Sequence, residues 1–256
     1  MGRILAITNQ KGGVGKTTSS VNLAASLACQ SRRVLLVDLD PQGNATMGCG
    51  VDKQALDATV CDLLLDPQQS LADVRQRCED PGFDVLPANA DLTAAEVELL
   101  AVEGREYRLR RVLETVTAEY DWILIDCPPS LSILTVNALT AAHGVIIPMQ
   151  CEYYALEGLS ALLDTIAAVR ERTNPELEIE GLLRTMYDPR NSLTRDVSRQ
   201  LMQHFGERVY RTVIPRNVRL AEAPSHGMPV VVYDRISRGA VAYQALAGEL
   251  IRRHSA

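Results

Sequence analysis

Ile4-Leu5-Ala6-Ile7-Thr8-Asn9-Gln10-Lys11-Gly12-Gly13-Val14-Gly15-Lys16-Thr17-Thr18 is the stretch that decides the fold. A short apolar run enters a glycine-rich turn, and the turn enters a helical pattern. Such a turn directs backbone N–H groups and a helix N-terminus at one point, which makes an anion site suited to phosphates. Gly12, Gly13, Val14 and Gly15 form the cradle. Lys16 is placed to reach the outer phosphates, and Thr17, with Thr18 beside it, offers a hydroxyl to Mg²⁺. The segment departs from G-x-x-x-x-G-K-[ST] at its first position. Gln10 stands where glycine is standard, and a second lysine, Lys11, follows it.

Outward from this loop, short apolar runs alternate with helical patterns. Strands are expected over 3–8, 34–37, 84–86, 122–125, 144–148, 180–186, 209–213 and 230–232. Helices are expected over 16–30, 91–100, 107–119, 133–142, 156–173, 193–205 and 238–253. Continuous runs such as Val34-Leu35-Leu36-Val37 suit strands buried on both faces of a parallel sheet. The alternation predicts a doubly wound, mostly parallel α/β sheet flanked by helices, of the P-loop nucleotide-hydrolase type, with residues 1–256 as a single domain. In such sheets ligands bind beyond the carboxyl ends of the strands. The loops at 9–15, 38–46, 126–130, 150–154, 188–191 and 214–224 are therefore the candidates.

Composition narrows the class. With 46% hydrophobic and 23% charged residues in 256, the chain is neither disordered nor membrane-spanning. It enters a strand at once, so no signal peptide is expected, and the six cysteines, none in a C-x-x-C pair, read as reduced cytoplasmic thiols. Lysine is scarce: of 26 basic residues only Lys11, Lys16 and Lys53 are lysine. Two of these three sit in the glycine loop, where a compact ammonium suits a phosphate cradle better than a planar guanidinium. The net charge of −6 argues against a uniformly basic nucleic-acid binder. Locally, however, residues 184–219 hold eight arginines against Asp188, Asp196 and Glu207. Such a segment is either an electrostatic footprint for DNA or a solvated arginine-rich face.

Carboxylates follow two of the buried strands. Asp126 ends Trp122-Ile123-Leu124-Ile125, the position from which a P-loop protein holds Mg²⁺ directly or through water. Asp38 and Asp40 open Asp38-Leu39-Asp40-Pro41-Gln42-Gly43-Asn44. One of the pair is suited to organising the loop and Mg²⁺, and the other to positioning an attacking water. Pro128-Pro129 stiffens the loop after Asp126, since each ring fixes φ.

Taken in order, Lys11–Thr18, the run from Val37 to Thr46, Ile125-Asp126-Cys127-Pro128-Pro129-Ser130, the run from Cys151 to Gly158, and Ile214-Pro215-Arg216-Asn217-Val218-Arg219-Leu220 resemble the ParA/Soj-type chromosome-partitioning ATPases, the deviant Walker A branch of the MinD/ParA superfamily. The resemblance extends over nearly the whole chain. It implies ATP and Mg²⁺ as cofactors and a homodimer formed with ATP, with Lys11 reaching the partner's phosphates. A cation supplied in trans offsets transition-state charge as an arginine finger does. Glu152 is then expected to hold Lys11 when no partner is present. By the same resemblance Lys16 and Thr17 serve phosphate and Mg²⁺, Asp126 supports the metal, and Asp40 positions the water or meets the metal through one. Met186, Pro215 and Asn217 surround adenine. Arg190, Arg219 and Arg216 contact double-stranded DNA without sequence preference, and a ParB-type centromere-binding protein stimulates a slow hydrolysis. A cytoplasmic, nucleoid-associated protein follows. A MinD-like membrane-associated ATPase is the alternative. It calls for an amphipathic C-terminal helix with bulky apolar residues, whereas the tail after Ala245 carries no Phe or Trp. An iron–sulfur electron carrier lacks paired cysteines, and a ligase on the same nucleotide fold leaves the arginine segment unexplained.

Overall fold

The computed structural model describes residues 2–152 and 155–255. Eight strands form one sheet: β1 (Arg3–Ile7), β2 (Val34–Asp38), β3 (Gln76–Cys78), β4 (Phe83–Leu86), β5 (Trp122–Asp126), β6 (Gly144–Gln150), β7 (Glu178–Tyr187) and β8 (Val209–Pro215). Their spatial order is β3-β4-β2-β5-β1-β6-β7-β8. Every neighbouring pair is parallel except the short edge pair β3–β4. The helices are α1 (Lys16–Ala28), α2 (Asn44–Gly48), α3 (Val60–Leu65), α4 (Leu71–Val74), α5 (Leu92–Glu98), α6 (Arg108–Glu114), α7 (Ile133–Ala141), α8 (Ala155–Arg172), α9 (Ser192–Phe205), α10 (Val218–Glu222), α11 (Val230–Tyr233) and α12 (Arg238–Arg253). The expected doubly wound α/β architecture is the one observed.

Alternating side chains of the central strands feed two cores. Leu5, Ile7, Leu36 and Leu124 pack on one face with α1 and α12. Ile4, Ala6, Leu35, Val37, Ile123 and Ile125 pack on the other with residues of α3, α6, α7 and α8. Both faces are covered, which is why these strands read as unbroken apolar runs.

Two expectations are corrected. Residues 230–232 are not a strand; they belong to helix α11. Val230 and Val231 are buried, and Asn22 Oδ1 of α1 accepts the Val230 N–H at 2.7 Å. A β-branched run costs a helix well under 1 kcal/mol per residue, whereas burying each valine is worth about 1.5–3 kcal/mol, so the packing site decides the conformation. The segment 76–78, not expected to be extended, forms the antiparallel edge strand β3, where Arg77 pairs with Asp84.

Candidate nucleotide site

The glycine loop joins β1 to α1. Gly13 and Gly15 adopt left-handed φ of 72° and 85°, which side chains with a Cβ resist. A Cβ at Gly12 or Gly13 would meet nothing within 4 Å, so the cradle is open on its ligand side. Gly15 caps α1 without a side-chain hydrogen bond, and no acidic residue occupies the first turn. The helix N–H groups and the positive end of the dipole are thus left for an anion. Two contacts pin the loop: Thr185 Oγ1 of β7 donates to Val14 O at 2.7 Å, and Asn9 Nδ2 donates to Pro148 O at 2.8 Å. Lys16 is only 7% exposed, and its Nζ rests on Lys11 O at 3.3 Å. Burial lowers the Lys16 ammonium from its ordinary range, while Asp126, Cys127 and Asp40 oppose that shift.

Strand register assembles the acids. Asp38 stands opposite Asp126 across β2–β5, and Asp126 opposite Ile7 across β5–β1. Both acids are fully buried at the root of the glycine loop. Asp38 is wholly committed to its own loop, accepting from Asp40 N, Thr46 N and Thr46 Oγ1 at 3.1, 2.8 and 2.8 Å. It is therefore the organising member of the pair. The carboxylate of Asp40, 8% exposed, accepts among the described residues the Gln42 N–H alone, at 2.9 Å through Oδ1. Asp126 Oδ1 accepts from Ser20 Oγ at 2.7 Å, while its Oδ2 is buried with no hydrogen-bond partner among the described residues. Burial drives the Asp126 carboxyl upward and Asp38 adds to the effect, with the Ser20 and Thr17 hydroxyls opposing it. A lone buried carboxylate oxygen beside a threonine hydroxyl fits a hydrated divalent cation. Cys127, next in sequence, is fully buried and its thiol is pushed up by that burial, so it packs as an inert thiol.

Lys11 and Lys16 have separate environments. Lys11 Nζ pairs with Glu152 Oε2 at 2.8 Å, as expected, with side chains 42% and 46% exposed. An exposed pair of this kind is worth only about 0.2–1 kcal/mol and is easily exchanged. Tyr153 and Tyr154, from the motif around Glu152, lie outside the described residues.

Met186, Pro215 and Asn217 come together as expected. With Gly15, Thr185 and Tyr243 they line a cavity of about 180 Å³ beside the loop. Met186 bends the end of β7 with a left-handed φ of 48°, a conformation costing about 1–2 kcal/mol for a residue with a Cβ. Among the described residues, three of the buried polar atoms without partners are Gln10 Nε2, Asp126 Oδ2 and Asn217 Oδ1. Gln10 and Asn217 lie in loops at this end of the sheet, and Asp126 ends β5 beside them. Arg3 Nε, Ser26 Oγ, Arg184 Nε and Tyr210 Oη are likewise unpartnered but lie elsewhere in the fold; the three at this end border the glycine loop, where a polar ligand would satisfy them.

The arginine segment divides in two. Arg184 is 7% exposed and structural: its guanidinium donates to Ser198 Oγ, Tyr210 O and Arg211 O. It therefore leaves the basic surface to which its sequence position assigned it. Arg190, Arg216 and Arg219 are exposed. Arg190 pairs with Asp188 at 2.8 Å. Arg219 pairs with Glu222 at 2.7 Å and Asp234 at 3.2 Å. Arg216 lines the nucleotide-side cavity.

A glycine cradle, a buried catalytic-type lysine and an acid at the tip of the adjacent strand define a P-loop nucleotide-binding α/β protein. Residues 2–179 match the AAA domain family. Soj of Bacillus subtilis, called a sporulation initiation inhibitor protein, is 55% identical over 250 residues, 98% of each chain. The chromosome partitioning protein ParA of Caulobacter vibrioides is 52% identical, over 98% of this chain and 94% of that one. A Mycobacterium smegmatis structure described as cobyrinic acid a,c-diamide synthase with bound ADP and magnesium is 43% identical, with a TM-score of 0.86, covering 99% of this chain and 95% of that one. The chain belongs to the ParA/Soj family of partitioning ATPases.

Proposed function

We infer that residues 1–256 form one Mg-ATP-dependent partitioning ATPase domain that acts as a DNA-binding homodimer in the cytoplasm, on the nucleoid. The observation carrying this reading is the division of labour between the two loop lysines. Lys16 is buried in its own cradle, whereas Lys11 stands at the exposed rim on an exchangeable ion pair. A rim lysine next to a complete P-loop is suited to a second subunit's phosphates.

In this reading the loop N–H groups and Lys16 bind the ATP phosphates, and the Met186–Pro215–Asn217 cavity takes adenine. Thr17 and Asp126 Oδ2, directly or through water, hold Mg²⁺, which neutralises phosphate charge when bound. Asp40 positions the attacking water. Lys11 leaves Glu152 for the partner's ATP and closes the sandwich. Arg190, Arg216 and Arg219 exchange their local pairs for DNA phosphates, contacts that are sequence-independent and salt-sensitive. A ParB-type protein accelerates a slow hydrolysis, which releases the DNA.

The burial of α12 supports this over the membrane-positioning alternative. Leu246, Ala247 and Leu250 are buried in the core, and Arg253 stacks on Tyr210 at 4.2 Å, so the apolar face of this helix is occupied. No helix among the described residues is long and apolar enough to cross a membrane. The test is DNA binding with ATP, with ADP and without nucleotide, across a salt series. ATP-dependent binding that weakens steeply with salt supports the reading. Binding that ignores nucleotide contradicts the ATP coupling, and an absence of binding contradicts the reading and leaves the membrane-positioning alternative.

A further inference from the structure

Lys53, the third lysine of the chain, also lands at the nucleotide end. It follows α2 in the loop beyond the Asp40 segment, and its Nζ donates to Gln42 O at 2.6 Å. Its stem lies across Gly43: a Cβ built on that glycine would come within 2.9 Å of Lys53 Cδ and 2.6 Å of Ala88 O. Gly43 has a left-handed φ of 60°, so the peptide between Gln42 and Gly43 is set by a turn that only glycine enters easily. The same two residues hold Asp40. The Gln42 N–H donates to Asp40 Oδ1 at 2.9 Å, and the Gly43 N–H donates to Asp40 O at 2.8 Å. Gln42 is therefore gripped at both ends, with its carbonyl on Lys53 and its N–H on the Asp40 carboxylate. The opposite side of the loop is fixed separately, where Thr46 Oγ1 donates to Asp38 Oδ2 and accepts the Ala88 N–H at 2.9 Å. Asp91 lines the same cleft as Lys53, but its carboxylate accepts from Asn89 Nδ2 at 2.9 Å, while the Lys53 ammonium donates to Gln42 O.

We propose that Lys53 is a positioning residue for ATP hydrolysis, acting through Gln42 to orient the Asp40 carboxylate. This rests on the reading of Asp40 as the water-positioning group. Lys53 touches neither phosphate cradle nor adenine cavity, so its loss should slow the chemical step without weakening nucleotide binding. A hydrogen bond to an ammonium fixes the orientation of a peptide more strongly than one to a neutral donor, and small misplacements of a reacting group are costly in rate.

The experiment compares wild type, Lys53→Met, Asp40→Asn and the double variant. Lys53→Met should lower kcat for ATP by about tenfold with KM and ATP affinity nearly unchanged. The double variant should turn over no more slowly than Asp40→Asn alone, since both changes act through one carboxylate. An unchanged kcat, a loss carried by KM, or full additivity with Asp40→Asn overturns the proposal. Hydrogen exchange of the nucleotide-free protein keeps the clamp falsifiable whatever the turnover. Lys53→Met should speed exchange of the Gln42 and Gly43 amides, and unchanged exchange overturns it. Failure of the underlying reading looks different: Asp40→Asn would then turn over like wild type while the exchange effect of Lys53→Met persisted.

Discussion

Lys11 Nζ and Glu152 Oε2 meet at 2.8 Å on the rim of the glycine loop, both side chains more than 40% exposed. This pair occupies the cation that the proposed dimer needs in trans. Its exposure makes it a weak latch, worth about 0.2–1 kcal/mol. Each dimer releases two such latches, so Glu152→Gln should favour ATP-dependent dimerisation by at most about thirtyfold. Sedimentation velocity across an ATP titration checks this, and a larger shift would show that Glu152 does more than hold Lys11.

Among the described residues the Asp40 carboxylate accepts a single hydrogen bond, from the Gln42 N–H, whereas the Asp38 carboxylate accepts three. Asp40→Ala should abolish most turnover while leaving an ATP-bound dimer that persists on DNA. Steady-state phosphate release and a DNA dissociation time course measure the two effects. Unchanged turnover excludes Asp40 as the water-positioning residue.

Arg219 is exposed and, among the described residues, pairs with Glu222 and Asp234. Arg219→Glu should weaken binding to any DNA sequence and reduce the slope of log K against log salt by about one or more, while sparing the ATP dimer. An unaltered gel-shift profile would assign this arginine to the surface alone.

Arg184 should behave oppositely. Arg184→Met removes a buried guanidinium and strands the Tyr210 and Arg211 carbonyls. A loss of about 2–4 kcal/mol is expected, which lowers Tm by roughly 5–15 °C in a chain of this size. The salt slope of DNA binding should be untouched, as calorimetry and the same gel-shift series can show.

These contrasts also mark how far sequence reading reaches. The glycine loop, Asp126 and the central strands were legible because backbone chemistry demands those residue types at those places. The Lys11–Glu152 pair was anticipated through family resemblance. Arg184 was misjudged because a count of charges carries no burial, and its β7 position turns it inward onto β8. Val230-Val231 was misread because Asn22 and the α1 surface override a β-branched run. Lys53 stands out in the sequence only by the scarcity of lysine, because its contact with Gln42 arises from a fold-back over Gly43 that has no sequence periodicity.

The central claim is that the second lysine of the loop serves the partner's nucleotide, and the direct measurement is the mass of wild type and Lys11→Ala in solution with Mg-ATP. The account predicts a dimer for wild type and a monomer for Lys11→Ala that still binds ATP. A Lys11→Ala dimer of normal stability would contradict it.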